Sequence, residues 1–113
     1  MHELSIALEI ISIVEKEIKE RGLGPIDKIK LRIGALAGVD PEALSFGFEA
    51  ASADTGLAGT ALDIEWVEVK GRCLNCHKTF AIDDYAFLCP YCNSLDVEVI
   101  QGEELDILHL EER

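Results

Sequence analysis

The sequence predicts an α+β protein, with two helices packed on a small three-stranded sheet and a four-cysteine lobe inserted between the later strands. Apolar residues recur at spacings of three and four in two segments, as in amphipathic helices. Other segments alternate apolar and charged residues with the period of two that strands have. All four cysteines fall within residues 70–94, where the composition changes.

The first helix is expected over residues 4–21, where Gly22, Gly24 and Pro25 then end it. The second is expected to begin at Asp40-Pro41, with Asp40 as the N-cap and Pro41 at the first helical position. The predicted apolar faces are Leu4, Ala7, Leu8, Ile11, Val14 and Ile18 in the first helix, and Ala43, Leu44, Gly47, Phe48 and Ala51 in the second.

Four strands are expected, over residues 26–33, 61–69, 95–100 and 104–110. In the first of them, Ile29, Leu31 and Ile33 should share the buried face. The pattern divides the chain into a helix-and-sheet domain, 1–69 and 102–113, and a cysteine lobe, 70–101.

The charge balance restricts the partners. Ten basic against 22 acidic residues give a net charge of −12. Phosphate neutralisation needs clustered Lys and Arg, so neither nucleic acid nor an anionic membrane is expected as a partner. No apolar run approaches the ~20 residues that span a bilayer, and Met1-His2-Glu3-Leu4 lacks the basic region of a signal peptide. We therefore expect a cytoplasmic protein.

The cysteines form two C-x-x-C pairs, Cys73 with Cys76 and Cys89 with Cys92, separated by 12 residues. Four thiolates give zinc the closed tetrahedral shell of its structural sites. The main large apolar residues beside the cysteines are Phe80, Ile82, Phe87 and Leu88, a core too small to fold without a metal. The sequence thus predicts a zinc-ribbon-like lobe. Asn93, directly after the second pair, is suited to a left-handed backbone conformation.

The cysteines have three other possible roles. Residues 73–77 also match the C-x-x-C-H haem-attachment pattern, but covalent haem would leave Cys89 and Cys92 unexplained. A redox pair at Cys89 and Cys92 should open a helix, whereas the residues that follow have turn and strand character. Iron in a rubredoxin-like site is not excluded by the sequence. His77 is expected beside the site or facing solvent rather than as a ligand.

The N-terminus offers a second set of metal donors. The α-amine of Met1, the backbone nitrogen and imidazole of His2, and the backbone nitrogen of Glu3 can close chelate rings around one cation. Four nitrogens in a plane suit Ni(II) or Cu(II) better than tetrahedral zinc. The alternative is a frayed terminus with a solvated histidine.

In order along the chain, these features resemble the HypA/HybF family of hydrogenase maturation proteins. The resemblance rests on Met1-His2-Glu3-Leu4-Ser5, the Ile33–Val39 segment, Pro41-Glu42-Ala43-Leu44 with Phe46, and the two cysteine pairs. It implies a nickel metallochaperone, not an enzyme, that delivers Ni(II) during maturation of [NiFe]-hydrogenase; some members also serve urease.

The resemblance also implies roles for particular residues. Nickel would bind at Met1, His2 and Glu3, with Asp40 as a candidate oxygen ligand, and a structural zinc ion would bind Cys73, Cys76, Cys89 and Cys92. Residues 1–69 and 102–113 would form the nickel-binding domain and 70–101 the zinc-binding domain. The implied partners are the GTPase HypB and the hydrogenase large subunit, for a monomer or weak homodimer. The alternative function is a zinc-ribbon protein-interaction module without nickel transfer.

Overall fold

A computed structural model describes residues 2–113. The elements are helix α1 (His2–Arg21), strand β1 (Ile26–Gly34), a 3₁₀ turn (Ala35–Ala37), helix α2 (Pro41–Ser52) and strands β2 (Ala61–Val67), β3 (Lys70–Cys73), β4 (Thr79–Ala81), β5 (Val97–Gln101) and β6 (Leu105–Glu112). They form two three-stranded sheets, in the orders β2-β1-β6 and β4-β3-β5. The predicted α+β class is confirmed.

The chain forms two compact units. The first contains the chain up to Leu31, then Val39–Glu65 and Asp106–Arg113; the second contains Arg32–Gly38 and Trp66–Leu105. Among the described residues, no helix combines the length and the apolar content needed to cross a membrane.

Helix α1 ends at Arg21, directly before Gly22, as the sequence predicts. Gly22 adopts a left-handed φ of 64°, and the N–H of Leu23 reaches back to the carbonyl of Ile18 at 3.0 Å. This is the bond of a Schellman motif, which satisfies a carbonyl that the helix leaves free.

The predicted buried face of α1 is partly wrong. Ala7, Ile11 and Val14 are buried as expected, but Leu4 and Leu8 are 41% and 53% exposed. The apolar residues of this helix form two overlapping stripes, and packing against α2 selects one of them. A Cβ added to Gly47 would lie 3.7 Å from the Cα of Leu4, so the helices approach closely there. The buried residues of α1 are Ile6, Ala7, Ile10, Ile11 and Val14.

The N-cap predicted for α2 is confirmed. Asp40 has an extended backbone, and its side chain accepts hydrogen bonds from the N–H groups of Glu42 and Ala43 at 3.0 Å and 3.3 Å. Pro41 occupies the first turn, where its missing N–H costs nothing. Leu44 and Phe48 are the large buried residues of this helix.

Strand β1 supplies the centre of the first sheet. Ile29, Leu31 and Ile33 are buried as predicted. Lys30, on the other face, forms an ion pair with Asp63 of β2 at 3.3 Å. Strand β2 ends two residues earlier than expected, and Trp66 near its end is 49% exposed.

The second unit has its own sheet and core. Strand β3 pairs antiparallel with both β4 and β5. A Cβ on Gly71 of β3 would lie 2.7 Å from Cδ1 of Ile82 and 2.8 Å from Cγ1 of Val97, so a larger residue there would have to displace both side chains. The buried cluster contains Val69, Cys73, Phe80, Ile82 and Cys89.

The predicted core of the lobe is therefore half right. Phe80 and Ile82 are buried, whereas Phe87 and Leu88 are 36% and 44% exposed. Buried cysteines replace those two side chains, as expected for a fold centred on a metal site.

A close backbone approach explains two glycines of the second unit. A Cβ at Gly34 would overlap the carbonyl of Gly102, and Gly102 adopts a φ of 115° that other residues rarely accept. The N–H of Leu36 donates to that carbonyl at 2.7 Å.

Candidate metal centre

The four cysteine sulfurs form one cluster. The Sγ atoms of Cys73, Cys76, Cys89 and Cys92 all lie within 4.8 Å of one another. Two of the edges, from Cys73 to Cys92 and from Cys76 to Cys89, measure 3.5 Å and 3.6 Å. A tetrahedron with Zn–S bonds of about 2.3 Å has edges of about 3.8 Å. The donor set and its spacing therefore fit a tetrahedral metal ion.

Each cysteine pair is built by the same backbone hydrogen bonds. In the first, the carbonyl of Cys73 accepts from the N–H of His77 at 2.9 Å, and the N–H of Cys73 donates to the carbonyl of Lys78 at 2.9 Å. In the second, Cys89 makes the equivalent bonds with Asn93 and Ser94 at 2.9 Å and 3.0 Å. The cluster is thus formed by two equivalent knuckles.

Each knuckle closes on a left-handed residue. His77 has a φ of 68° and Asn93 a φ of 62°. The left-handed conformation predicted at Asn93 is confirmed. The same position in the first knuckle was missed at His77, although it also lies one residue after a C-x-x-C pair.

Polar N–H groups point at the sulfurs. The backbone N–H groups of Asn75 and Cys76 both donate to the Sγ of Cys73 at 3.4 Å. The side-chain amide of Asn75 donates to the Sγ of Cys92 at 3.5 Å. Asn75 therefore contacts sulfurs of both knuckles, a role that the spacing of the cysteines does not predict.

The thiols differ in acidity. The side-chain amide of Asn75 and then the N–H of Ser94 lower the pKa of Cys92 to about 6, and the N–H of Cys76 lowers that of Cys73. At Cys76 the N–H of Lys78 lowers the pKa, but burial and the neighbouring thiols outweigh it and raise the pKa to about 11. A cation is needed for all four to ionise together.

A further contact joins the knuckles at the surface. The ammonium group of Lys78, after the first pair, lies 4.7 Å from the ring centroid of Tyr91, inside the second pair. The distance is that of a cation–π interaction. His77 is exposed. Within residues 2–113, the cluster of metal donors contains the four cysteines and does not include His77.

The N-terminal donors lie at the start of α1. His2 is the first residue of that helix, and its side chain is 58% exposed with Nδ1 3.8 Å from Oε2 of Glu3. The first N–H groups of a helix have no intrahelical acceptor. The remaining predicted donor, the amine of Met1, lies outside the described residues.

Glu3 and Asp40, two residues singled out from the sequence, are brought together. The N–H of Asp40 donates to Oε2 of Glu3 at 3.3 Å. This bond, then the N–H of Glu3 itself and the charge of His2, lower the pKa of the Glu3 carboxyl. The carboxylate of Asp40 is engaged in capping α2. The prediction that Asp40 caps α2 is thus confirmed, whereas its hydrogen bond to Glu3 was not predicted from the sequence.

A small α+β chain with a four-cysteine knuckle centre and an exposed histidine in its first helical turn has the features of a metal-handling protein. The chain belongs to the HypA family of hydrogenase maturation factors and nickel metallochaperones. A family model described as hydrogenase/urease nickel incorporation, metallochaperone, matches residues 1–112.

Named relatives support the same family. The hydrogenase maturation factor HypA of Pelodictyon phaeoclathratiforme is 43% identical over 104 residues, which cover 92% of this chain and 89% of the relative. That of Acidithiobacillus ferrooxidans is 40% identical over 111 residues, 98% of each chain. The predicted family is therefore confirmed.

Solved structures share the fold. A solution structure of a HypA protein superposes with a TM-score of 0.73 at 28% identity, covering 100% of this chain and 97% of the other. The solution structure of the Ni metallochaperone HypA from Helicobacter pylori gives 0.66 at 25% identity, covering 97% and 96%.

Proposed function

We propose that this protein is a nickel carrier that binds Ni(II) at its N-terminus and delivers it during maturation of [NiFe]-hydrogenase. The observation that carries the proposal is the match of residues 1–112 to a family described by nickel incorporation into hydrogenase and urease. Maturation factors of this kind handle a metal rather than transform a substrate, so we propose no catalytic residues.

The proposed nickel ligands are the α-amine of Met1, the backbone nitrogen and imidazole of His2, and the backbone nitrogen of Glu3. Two features support them. The imidazole of His2 is exposed, and the backbone N–H groups of a helix's first turn have no carbonyl acceptor within the helix, so their deprotonation breaks no backbone–backbone hydrogen bond. Four nitrogens in a plane match the geometry that Ni(II) prefers.

The N-terminus of α1 is an electrostatically unfavourable place for a cation unless its charge is offset. A helix N-terminus carries partial positive charge and disfavours a cation. The carboxylate of Glu3, which is ionised at neutral pH, offsets this charge, and its lowered pKa extends the ionised range to more acidic solution. We assign Asp40 to the second helix as its cap, not to nickel, since its carboxylate already accepts two N–H groups.

We propose that Cys73, Cys76, Cys89 and Cys92 hold a structural zinc ion. A shell of four thiolates leaves no open position for exchange or catalysis. Two of the four sulfurs, those of Cys73 and Cys89, belong to buried residues that form part of the core of the second unit. Zinc bound there would contribute directly to the folding of that unit.

The exposure of the proposed nickel site would allow the metal to be released. A solvent-accessible site lets the ligands of an acceptor replace the nitrogens one at a time. On family grounds the proposed partners are the GTPase HypB and the large subunit of [NiFe]-hydrogenase, with urease as a further client. We propose that the protein acts in the cytoplasm, where thiols stay reduced, and that it is a monomer or weak homodimer.

Calorimetric titration of the zinc-loaded protein with Ni(II) tests the proposal. We expect one nickel per chain, lost in His2→Ala and retained in His109→Ala. His109 is a suitable control because it is also exposed, at 54%, and lies beside a glutamate, Glu111. Unchanged nickel affinity in His2→Ala would refute the assignment of His2. The absence of nickel binding in the wild type would favour a zinc-ribbon interaction module instead.

A further inference from the structure

The second unit contains a cleft that the metal chemistry does not use. Its volume is about 320 Å³. The floor is formed by Val69 and Ile82, both buried, whose backbones are joined by a 2.9 Å hydrogen bond from the N–H of Ile82 to the carbonyl of Val69. The floor is therefore apolar, and its two residues are held together by their backbones.

Two exposed aromatic rings line this cleft. Trp66 is 49% exposed and Tyr85 is 72% exposed. Large aromatic residues usually bury such area in a core or an interface. Their presence beside an apolar floor indicates a contact surface with flat π faces.

The rim of the cleft is acidic. Glu68, Asp83 and Asp84 also line it. Glu68 lies 3.8 Å from the ammonium of Lys70, but the carboxylates of Asp83 and Asp84 form no ion pair or hydrogen bond within residues 2–113. None of the described residues that line the cleft is a lysine or an arginine. Two of the three acidic side chains of the rim, those of Asp83 and Asp84, therefore have no matching cation among the described residues.

The turn that presents these groups has an uncommon backbone. Asp84 and Tyr85 are consecutive residues with left-handed φ angles of 50° and 58°, a conformation that bulky residues rarely adopt. The turn is closed by a 3.0 Å hydrogen bond from the N–H of Ala86 to the carbonyl of Asp83.

We propose that this cleft docks an arginine side chain of a partner protein, carried on a segment with apolar neighbours. The guanidinium would stack on the faces of Trp66 and Tyr85 and meet the charges of Asp83 and Asp84. Arginine suits this combination better than lysine, because its planar group stacks on aromatic rings while pairing with carboxylates. The apolar neighbours would contact the floor of Val69 and Ile82.

This docking surface is separate from nickel binding. Every residue that lines the cleft lies in the second unit, and the test below uses no nickel. Failure of the docking proposal would therefore leave the proposed nickel site untouched, and the reverse also holds.

The chain provides its own probe for the test. Trp66 is the single tryptophan, so its emission reports on the cleft alone. The zinc-loaded protein is titrated with acetyl-Leu-Arg-Leu-amide and with its uncharged counterpart, acetyl-Leu-citrulline-Leu-amide. We expect a saturable change in emission with the arginine peptide and about fivefold weaker binding of the citrulline peptide, the size of an exposed cation–π contact.

A matched pair of variants assigns the charge to the rim. We expect D83N/D84N to bind the arginine peptide about fivefold more weakly, the size of an exposed ion pair, and E98Q/E103Q, which neutralises two exposed acids outside the cleft, to bind it as the wild type does. Asparagine tolerates the left-handed conformation at residue 84. Three results would overturn the proposal: no saturable change with the arginine peptide, equal affinity for the citrulline peptide, or equal losses in both variants. The comparison of the two peptides on the wild type stands even if a variant fails to fold.

Discussion

The carboxylate of Glu3 accepts a 3.3 Å hydrogen bond from the backbone N–H of Asp40, and thereby joins the first turn of α1 to the N-cap of α2. The proposed nickel-binding residues thus begin a helix whose start is tied to a second helix. This bond should limit fraying of the terminus, which was the alternative interpretation of the histidine there.

The Glu3 bond predicts a pH dependence. A carboxyl with a lowered pKa contributes stability that is present above its ordinary value of 4.5 and is lost as the pH falls through the lowered folded-state pKa. The difference in unfolding free energy between wild type and Glu3→Gln should therefore shrink below that pH. NMR titration of the Glu3 carboxyl carbon checks the same prediction directly, and a midpoint at or above the ordinary value would contradict it.

Asp40 should act as a cap rather than a ligand. Asp40→Ala should reduce the unfolding free energy by about 1 kcal/mol, the usual cost of a lost N-cap, while Asp40→Asn should leave it nearly unchanged because Asn caps equally well. Urea denaturation measures both variants. Nickel affinity of Asp40→Asn should match that of the wild type, and a large loss in that variant alone would make the carboxylate a nickel ligand.

The left-handed residues of the knuckles predict opposite effects of two substitutions. His77→Gly should raise the unfolding free energy of the zinc-loaded protein by about 1 kcal/mol, since glycine adopts the left-handed conformation without the penalty of a Cβ. Asn93→Val should lower the unfolding free energy and weaken zinc binding, which a competition titration with a chelator measures. If His77→Gly instead lost zinc, His77 would have to be counted among the ligands.

Zinc removal should affect the second unit first. Zinc binds cysteine as the thiolate, so zinc binding must displace protons from the thiols and should strengthen as the pH rises. Chelation should collapse the NMR dispersion of Trp66–Leu105 while the signals of α1 persist. Added zinc should restore the spectrum. A second unit that stayed fully folded without metal would contradict the structural role.

The sequence predicted the elements whose signals are local. The cap at Asp40 and the alternation of Ile29, Leu31 and Ile33 depend on the types and spacing of neighbouring residues, and both are confirmed. The cysteine pairs were equally informative, since a two-residue gap allows two sulfurs to converge.

Long-range packing decided what the sequence did not. The sequence of α1 allows more than one apolar stripe, and in the folded protein Leu4 lies beside Gly47 of α2 yet remains 41% exposed. In the lobe, Phe87 and Leu88 were expected in a core that is filled by Cys73 and Cys89 instead. Hydrophobicity alone does not distinguish a buried cysteine that holds a metal from an aliphatic core residue.

In the candidate sites, too, local features could be predicted from the sequence and long-range contacts could not. The side chain of Asn75, which contacts a sulfur of the opposite knuckle, and the bond between Glu3 and Asp40 join residues 17 and 37 positions apart. Neither has a spacing signature, so each required the folded structure.

The central claim is that nickel binds at the N-terminus and not at the cysteines. The most direct measurement is an absorbance titration of the zinc-loaded protein with Ni(II), compared with a chain in which Gly-Ser precedes Met1 and displaces the α-amine. We expect one yellow, planar nickel species per wild-type chain, with the zinc content unchanged, and the loss of that species in the extended chain. Displacement of zinc by nickel, or an identical nickel spectrum in the extended chain, would contradict it.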